Sequence, residues 1–210
     1  MAEVSYNIPD LAPGEFYRVE QTIKRSRFIV SLAHTNSPEA AKAFIEQIKA
    51  EFGDARHNCW AYCAGAAGST DRIGASDDGE PHGTAGRPML TAVTHSGIGE
   101  VTVVVTRYFG GILLGTGGLV KAYQSSTKMA LEGVKLRVKT KSVKIKLSVE
   151  HRFVTLMLRK LEEAEGRVLS KEFGMDAAFE LEIPQNQSEA FIKTLEELTR
   201  GALLIENIQK

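Results

Sequence analysis

The chain has 210 residues, of which 43% are hydrophobic and 25% charged, a composition typical of a folded globular protein with room for two modest domains. Its 26 basic and 26 acidic side chains cancel, which argues against strong binding to duplex DNA, because phosphate neutralisation supplies most of that affinity. The sequence opens without a basic, apolar leader and contains no apolar run of about 20 residues, so neither export nor a membrane span is expected. We therefore expect a cytoplasmic protein whose two cysteines stay reduced.

The distribution of glycine divides the chain into two domains. Sixteen of the 19 glycines precede residue 138, and 13 of these lie between Gly65 and Gly118. We therefore predict an N-terminal domain over residues 1–137 and a C-terminal domain over residues 138–210. The first carries 14 basic and 14 acidic side chains and the second 12 of each, so any contact with nucleic acid has to come from a local patch.

Strand and helix patterns alternate along the first domain. Ser37 followed by Pro38 indicates a helix start, because serine caps the first turn and proline fits the first helical position. The β-branched run from Glu100 to Phe109 is typical of a buried strand. In chain order the patterns predict strands over 16–19 and 27–32, a helix over 38–52, strands over 57–64 and 100–109, and a helix over about 119–132.

The second domain opens with a strict alternation of apolar and polar residues from Val143 to Val149. The patterns predict a strand over 143–149, a helix over 153–164, strands over 168–173 and 177–183, a helix over about 188–198 and a strand over 203–208. Gly166 is expected to end the first of these helices in a left-handed turn, and Ser188 to cap the second. This βαββαβ order predicts a ferredoxin-like sheet with both helices on one face.

The other face of that sheet is expected to carry Lys144, Lys146, Glu180 and Glu182. RNA-recognition domains of the same topology stack bases on aromatic side chains of their central strands, whereas these positions are charged. Cross-strand pairing of lysine with glutamate on a solvated face is the favoured interpretation. We therefore expect the second domain to be a docking module and place the function in the first.

The segment GGILLGTGGLVKAY, residues 110–123, places Gly115, Gly117 and Gly118 between a strand and the start of a helix. Glycines let a ligand approach the backbone closely, and the free N–H groups of a first helical turn attract anions. Lys121 is expected in that first turn, where a bound anion would offset the positive end of the helix dipole. The alternative is a tight strand-to-helix connection that needs glycine for packing alone, and the sequence does not separate the two. The turn is also expected to need a residue without a Cβ at Gly117.

Acidic residues cluster in SDDGEPHGTAG, residues 76–86, which holds Asp77, Asp78, Glu80 and Thr84. Three carboxylates in four residues can ligate a hard cation, but the spacing is not that of a calcium loop, and Asp-Gly is ordinary turn chemistry. A surface loop that presents backbone and acidic groups to a partner is the favoured interpretation. Because polar, glycine-rich segments avoid the core, we expect this loop and the turn over 115–121 to form one surface around a pocket for an anion.

A third group lies at two strand ends. Arg107 and Tyr108 end the β-branched strand, and Arg56 and His57 begin the strand before the glycine-rich stretch. Together they can form a polar and aromatic patch for RNA. The alternative is a strand end with a solvated arginine and core aromatic residues, and both interpretations stay open.

Metal binding by the cysteines is not expected. Cys59 and Cys63 are four residues apart, so on a strand they lie about 13 Å from each other, too far for one tetrahedral ion together with His57. Both are predicted to be buried as small apolar side chains. The sequence indicates no metal site, no cofactor and no catalytic residue.

The pair SDDGEPHGTAG and VVVTRYFGGILLGTGGLVKAY resembles the IMPACT family, and KRSRFIVSLAHT and DARHNCWAY fit the same likeness. The similarity runs essentially from end to end, and the whole chain looks like the bacterial branch, the YigZ proteins. It implies an α+β fold, in which the N-terminal domain has the left-handed βαβ unit shared with a ribosomal small-subunit protein and domain IV of elongation factor G. The ferredoxin-like C-terminal domain would then resemble domain V of that factor.

The resemblance also implies a role in translation. Eukaryotic members regulate translation by competing for the activator of an amino-acid-starvation kinase, using an extra N-terminal domain that this sequence does not contain. What carries over is the IMPACT domain with its link to ribosomes or RNA, and the resemblance assigns no catalytic residue.

We therefore predict a translation-associated binding protein that contacts the ribosome, RNA or a translation factor through its first domain. The alternative is an enzyme or binder of a small phosphorylated ligand at residues 115–118, by analogy with small-molecule kinases of the same left-handed fold class. The predicted binding residues are Arg56, His57, Asp77, Asp78, Glu80, Thr84, Arg107, Tyr108, Gly115, Gly117, Gly118 and Lys121.

Overall fold

The computed structural model describes residues 5–209. They form two compact units of mixed α/β structure, one over Tyr6–Lys139 and one that begins at Thr140. The predicted boundary between residues 137 and 138 falls within a strand that covers Leu136–Thr140.

The elements of the first unit are β1 (Ser5–Pro9), β2 (Tyr17–Ile23), β3 (Ser26–His34), α1 (Pro38–Glu51), β4 (His57–Cys63), β5 (Ile73–Ser76), α2 (Gly86–Thr94), β6 (Val101–Tyr108), α3 (Thr116–Gly133) and β7 (Leu136–Thr140). Strands β2 to β6 pair in the order β2-β3-β6-β4-β5, and β1 pairs with β7. Neighbouring strands of the larger sheet are antiparallel. The sequence patterns predicted β2, β3, β4, β6, α1 and α3, and they missed β1, β5, α2 and β7.

The central strand β6 explains how the first unit is layered. Its residues Val101, Val103 and Val105 belong to a core shared with α2 and α3, whereas Val104 belongs to a core shared with α1. Successive side chains of a strand point to opposite faces, so a continuous apolar strand is buried on both sides. Helix α1 begins as predicted, because the Ser37 side chain accepts a hydrogen bond from the backbone N–H of Ala40 and Pro38 follows it.

The elements of the second unit are β8 (Ser142–Val149), α4 (Val154–Glu163), β9 (Arg167–Phe173), β10 (Ala177–Pro184), α5 (Gln185–Thr199) and β11 (Leu204–Gln209). The sheet order is β11-β8-β10-β9. Alternate residues of β8 and β10 are buried in one core with Met157 and Leu161 of α4 and Phe191 and Leu195 of α5. Both helices therefore pack on one face, and the predicted ferredoxin-like arrangement is confirmed.

Two local predictions in the second unit were wrong. The left-handed residue after α4 is Glu165, with φ 54°, and not Gly166. Gly166 has a different role, because a Cβ there would overlap the side chain of Leu161. Helix α5 begins at Gln185, so Ser188 lies inside its first turn, where its hydroxyl donates to the carbonyl oxygen of Gln185 at 2.9 Å.

Candidate functional site

Four of the predicted binding residues surround one cleft at an end of the larger sheet. The cleft has a volume of about 510 Å³ and is lined by Asp54, Arg56, His57, Arg107, Tyr108, Phe109 and Leu113; we call it the sheet-end cleft. Antiparallel pairing explains its position, since β6 ends where β3 and β4 begin. Arg107 accordingly lies opposite Phe28 on β3 and His57 on β4.

Exposed cations surround this end of the sheet. Arg56 lines the cleft, and Lys24 and Arg25 form the two-residue turn between β2 and β3; none of the three takes part in an ion pair within residues 5–209. A Cβ on Gly110 would overlap the carbonyl oxygen of Arg25, so the turn lies directly beside the segment that carries Phe109. Lys24 and Arg25 were not among the predicted site residues, although a basic pair between two strand patterns was a usable signal.

Arg107 is buried at the base of the cleft and is only partly satisfied. Its Nη1 donates to Glu80 Oε1 at 2.7 Å, and its Nη2 lies 3.4 Å from the Ser26 hydroxyl. Among the described residues, its Nε is the one buried side-chain nitrogen or oxygen that lacks a hydrogen-bond partner. An unsatisfied buried donor costs about 1–3 kcal/mol, so this atom stands out as a position where a ligand oxygen would be stabilising. The alternative of a solvated arginine at this strand end was wrong, because the side chain is only 8% exposed.

Glu80 ties the acidic loop to the rest of the first unit. Its Oε1 accepts hydrogen bonds from Arg107 and from the hydroxyl of Tyr123 on α3, both at 2.7 Å, and its side chain is 3% exposed. Burial raises the pKa of the Tyr123 hydroxyl far above its usual value, and the neighbouring thiol of Cys59 and the carboxylate of Glu80 raise it further. Loop 76–86 and α3 are therefore in contact, through a buried group.

The other carboxylates of the loop also serve the fold. Asp77 accepts the backbone N–H groups of Gly83, Ala85 and Gly86 at 2.8–3.0 Å, which caps the start of α2. Partial burial opposes ionisation of Asp77, but these three donors outweigh it and hold the pKa of the carboxyl below its usual value. The prediction that this loop presents its acidic groups to a partner was wrong for Asp77 and Glu80, because both are engaged within the protein.

Asp78 and Thr84 complete this internal framework. Asp78 has φ 42°, and its carboxylate accepts Lys49 Nζ at 2.9 Å and the backbone N–H of Asn58 at 2.7 Å. Its carbonyl oxygen lies 3.0 Å from His57 Nδ1, so the loop fixes the orientation of a cleft side chain. The Thr84 hydroxyl donates to the carbonyl oxygen of Pro81 at 2.7 Å.

Potential metal ligands are dispersed in the described structure. Within residues 5–209, no group of three or more histidine, cysteine, aspartate or glutamate side chains is placed to hold a metal ion. Cys59 and Cys63 are both free and buried. The Cys59 thiol donates to the carbonyl oxygen of Asp77 at 2.9 Å, and burial raises its pKa far above the usual value.

The glycines at the start of α3 differ from one another. Gly115 is the N-cap residue with φ 76° and ψ 165°, a conformation open essentially to glycine alone. Gly117 was expected to have no room for a side chain, and this was wrong, because a Cβ there meets nothing within 4 Å. Lys121 is exposed and lies in the second helical turn rather than the first, since the helix already begins at Thr116.

Apolar side chains form the rim of the cleft and were also missed. Phe109 is 55% exposed and Leu113 is 82% exposed. The guanidinium carbon of Arg107 lies 5.7 Å from the ring centroids of both Phe28 and Phe109, so Phe109 covers the arginine from the outside. The run FGGILL between a strand and a helix was a sequence signal for an apolar loop that cannot all be buried.

The fold and the cleft define a two-unit protein whose glycine-rich first unit carries the candidate site. Residues 24–131 match the family model of the Impact N-terminal domain, and residues 158–202 match that of a domain of unknown function, DUF1949. The first of these segments contains the whole sheet-end cleft. In the described chain, no helix is long and apolar enough to cross a membrane.

Named relatives agree with these matches. The IMPACT family member YigZ of Escherichia coli strain K12 is 42% identical over 95% of this chain and 98% of its own length. A Dictyostelium discoideum protein named Protein IMPACT homolog is 33% identical over 45% of this chain and 27% of its own length. A crystal structure of a hypothetical protein covers 98% of both chains with 41% identity and a TM-score of 0.77. The chain belongs to the IMPACT family.

Proposed function

We propose that this protein is a translation-associated binding protein whose first unit contacts RNA, including RNA of the ribosome, through the sheet-end cleft. The observation that carries the proposal is the presence, at one end of the sheet, of three cations without an ion pair among the described residues, Lys24, Arg25 and Arg56, together with the exposed ring of Phe109. Basic side chains attract the phosphate backbone, and aromatic rings stack on bases.

The acidic neighbours of the cleft are compatible with a polyanionic partner. Asp54 accepts the hydroxyl of Tyr108 at 2.7 Å, and Glu20 is engaged by Arg27 in a two-point ion pair at 2.7 and 3.0 Å. Glu80 is buried against Arg107. Lys24, Arg25 and Arg56 thus leave a local positive excess in a chain of zero net charge.

A charge-reversal experiment tests this proposal. Lys24, Arg25 and Arg56 are replaced together by glutamate, and the control replaces Lys144, Lys146 and Lys193, which are exposed in the second unit, so that the net charge changes equally. We measure co-sedimentation with ribosomes and filter binding of a ribosomal RNA fragment over a series of salt concentrations. The sheet-end variant should bind more weakly, with a salt dependence reduced by about one unit of slope for each phosphate that is no longer neutralised, whereas the control should match the wild type.

Two results would count against the proposal. One is a wild-type protein that binds neither ribosomes nor the RNA fragment. The other is an equal loss of binding in the two triple variants, which would make the effect one of net charge rather than of this site. If binding to ribosomes persists after their RNA has been removed by nuclease, the partner is a protein and not RNA.

The second candidate function is binding of a small phosphorylated ligand at the start of α3. It is favoured by the absence of a side-chain cap on this helix and by the open space in front of Gly117, which leave the first backbone N–H groups accessible. Calorimetric titration with inorganic phosphate and with nucleoside triphosphates separates this function from the first. Saturable binding that is abolished by Gly117→Val and unaffected by the triple charge reversal would support it.

A further inference from the structure

The sheet-end cleft combines an exposed aromatic ring with an arginine that has an unused N–H donor. Phe109 is 55% exposed and lies over the guanidinium group of Arg107, with 5.7 Å between the guanidinium carbon and the ring centroid. A Cβ on the next residue, Gly110, would overlap the carbonyl oxygen of Arg25, whereas a Cβ on Gly111 would meet nothing within 4 Å. The backbone that follows the ring is therefore packed at Gly110 and open to solvent at Gly111.

The hydrogen bonds of Arg107 leave part of its guanidinium group unused. A guanidinium group has five N–H donors in a planar fork suited to phosphate oxygens. Glu80 accepts from Nη1, the Ser26 hydroxyl is at the distance limit from Nη2, and Nε has no partner in the part of the chain that the structure describes. The side chain is more than nine-tenths buried while it lines the cleft, so an incoming oxygen would meet a donor that water does not compete for.

We infer that the sheet-end cleft takes an unpaired nucleotide of RNA, with its base stacked on Phe109 and its phosphate held by Arg107 and Arg56. This inference rests on the proposed function and adds that the RNA bound at the cleft is unpaired. Bases inside a duplex are stacked on their own neighbours and cannot lie on a protein ring, whereas loops, bulges and single strands expose them. The volume of about 510 Å³ is that of an ordinary small-ligand pocket, which suits one nucleotide and not a helix.

The arrangement of charge in the cleft fits this orientation. The Asp54 carboxylate, held by Tyr108, repels a phosphate from its own side, while Arg56, Arg107 and the turn of Lys24 and Arg25 attract it. Nε of Arg107 is buried in the free protein, so a contact with the adjoining phosphate requires the Phe109 ring, which lies over the guanidinium group, to turn when a base stacks on it. One movement would then create both contacts.

The test uses the full chain and one short labelled RNA of mixed sequence, either single-stranded or annealed to its complement, with affinity measured by fluorescence anisotropy. Phe109→Leu removes the ring but keeps an apolar side chain, and Phe109→Tyr keeps a ring that can stack. The matched control is Phe173→Leu in the second unit, where the phenylalanine is 59% exposed. Because both phenylalanines are exposed, the variants should fold like the wild type, which circular dichroism checks.

We expect tighter binding of the single strand than of the duplex and about a tenfold loss of single-strand affinity in Phe109→Leu, with Phe109→Tyr and Phe173→Leu within about twofold of the wild type. Equal affinity for both RNAs together with an unaffected Phe109→Leu variant overturns this inference. If the triple charge reversal still weakens binding in that case, RNA binding at this site stands and only the unpaired nucleotide is refuted. If the wild type binds neither RNA, the proposed function falls as well.

Discussion

The sheet-end cleft of the first unit and the open sheet face of the second both carry clustered charges, but the two clusters are arranged differently. On the second unit, Lys144 lies opposite Glu182 and Lys146 opposite Glu180 in the strand register. At the sheet end, Lys24, Arg25 and Arg56 have no acidic partner among the described residues. Two ion pairs are present there, Arg107 with Glu80, which is buried, and Arg27 with Glu20, which is exposed. The comparison teaches that a count of charges does not locate a binding surface, whereas the sign of the residues that lie opposite each cation does.

Removal of one carboxylate from each region gives the largest expected difference. Glu80→Ala leaves Arg107 buried without its counter-ion and should lower the free energy of unfolding by about 3–5 kcal/mol. Glu180→Ala removes a partly exposed charge from the second unit and should cost about 0–1 kcal/mol. Urea unfolding is followed by circular dichroism and by fluorescence of Trp60, which is the one tryptophan of the sequence and lies in the first unit. A small effect of Glu80→Ala would contradict the described network.

Acid should destabilise the first unit through Glu100. Burial opposes ionisation of Glu100, but hydrogen bonds from His34, Lys139 and Tyr6 outweigh it and lower the pKa to about 2 from 4.5. A lowered native pKa stabilises the fold above the unfolded pKa, so this contribution, about 3 kcal/mol, is complete above pH 4.5 and is lost as the pH falls towards 2.

The pH dependence can be assigned with two variants. Glu100→Gln should flatten the loss of stability in that acidic range, as measured by urea titrations of Trp60 fluorescence at a series of pH values. Glu182→Gln, which alters a more exposed pair on the second unit, should leave the Trp60 signal unchanged. An unaltered acid dependence in Glu100→Gln would assign the effect to other carboxylates.

The smallest expected effects on stability concern two glycines at the start of α3, which should respond to alanine in opposite ways. Gly115→Ala forces alanine into φ 76° and should destabilise the protein by about 1–3 kcal/mol. Gly117→Ala places a Cβ in open space within a helix and should stabilise it by about 0.5–1 kcal/mol. Thermal unfolding measures both. Equal destabilisation would mean that the backbone at Gly117 is constrained in a way that its surroundings do not indicate.

The second unit could be predicted almost completely from sequence, because its elements are set by local periodicity. The alternation over 143–149 and the helical spacing of Met157 and Leu161 both reappear as buried positions of one core. Helix α2 was missed because its sequence, GRPMLTAVT, has a proline inside and β-branched residues, and because its cap comes from Asp77, eight and nine residues before the N–H groups of Ala85 and Gly86.

The candidate site was predictable only in part. Arg56, His57, Arg107 and Tyr108 were found because they stand at strand ends, and all four line the cleft. The role of Glu80 was missed because its partners Arg107 and Tyr123 lie 27 and 43 residues away. A local sequence pattern cannot distinguish an exposed carboxylate from one that forms a buried ion pair, because the arginine comes from a distant strand of the sheet.

The turn between β2 and β3 has a consequence for attempts to make this protein more stable. Both of its residues, Lys24 and Arg25, have positive φ, at 46° and 65°, and a two-residue hairpin turn of this kind is relaxed with Asn-Gly. A screen for thermostability would therefore favour Asn-Gly here, since it relieves backbone strain at two exposed residues. Such a protein would gain stability but lose two cations beside the cleft. Substitutions in this turn would therefore raise stability and weaken binding at the same time.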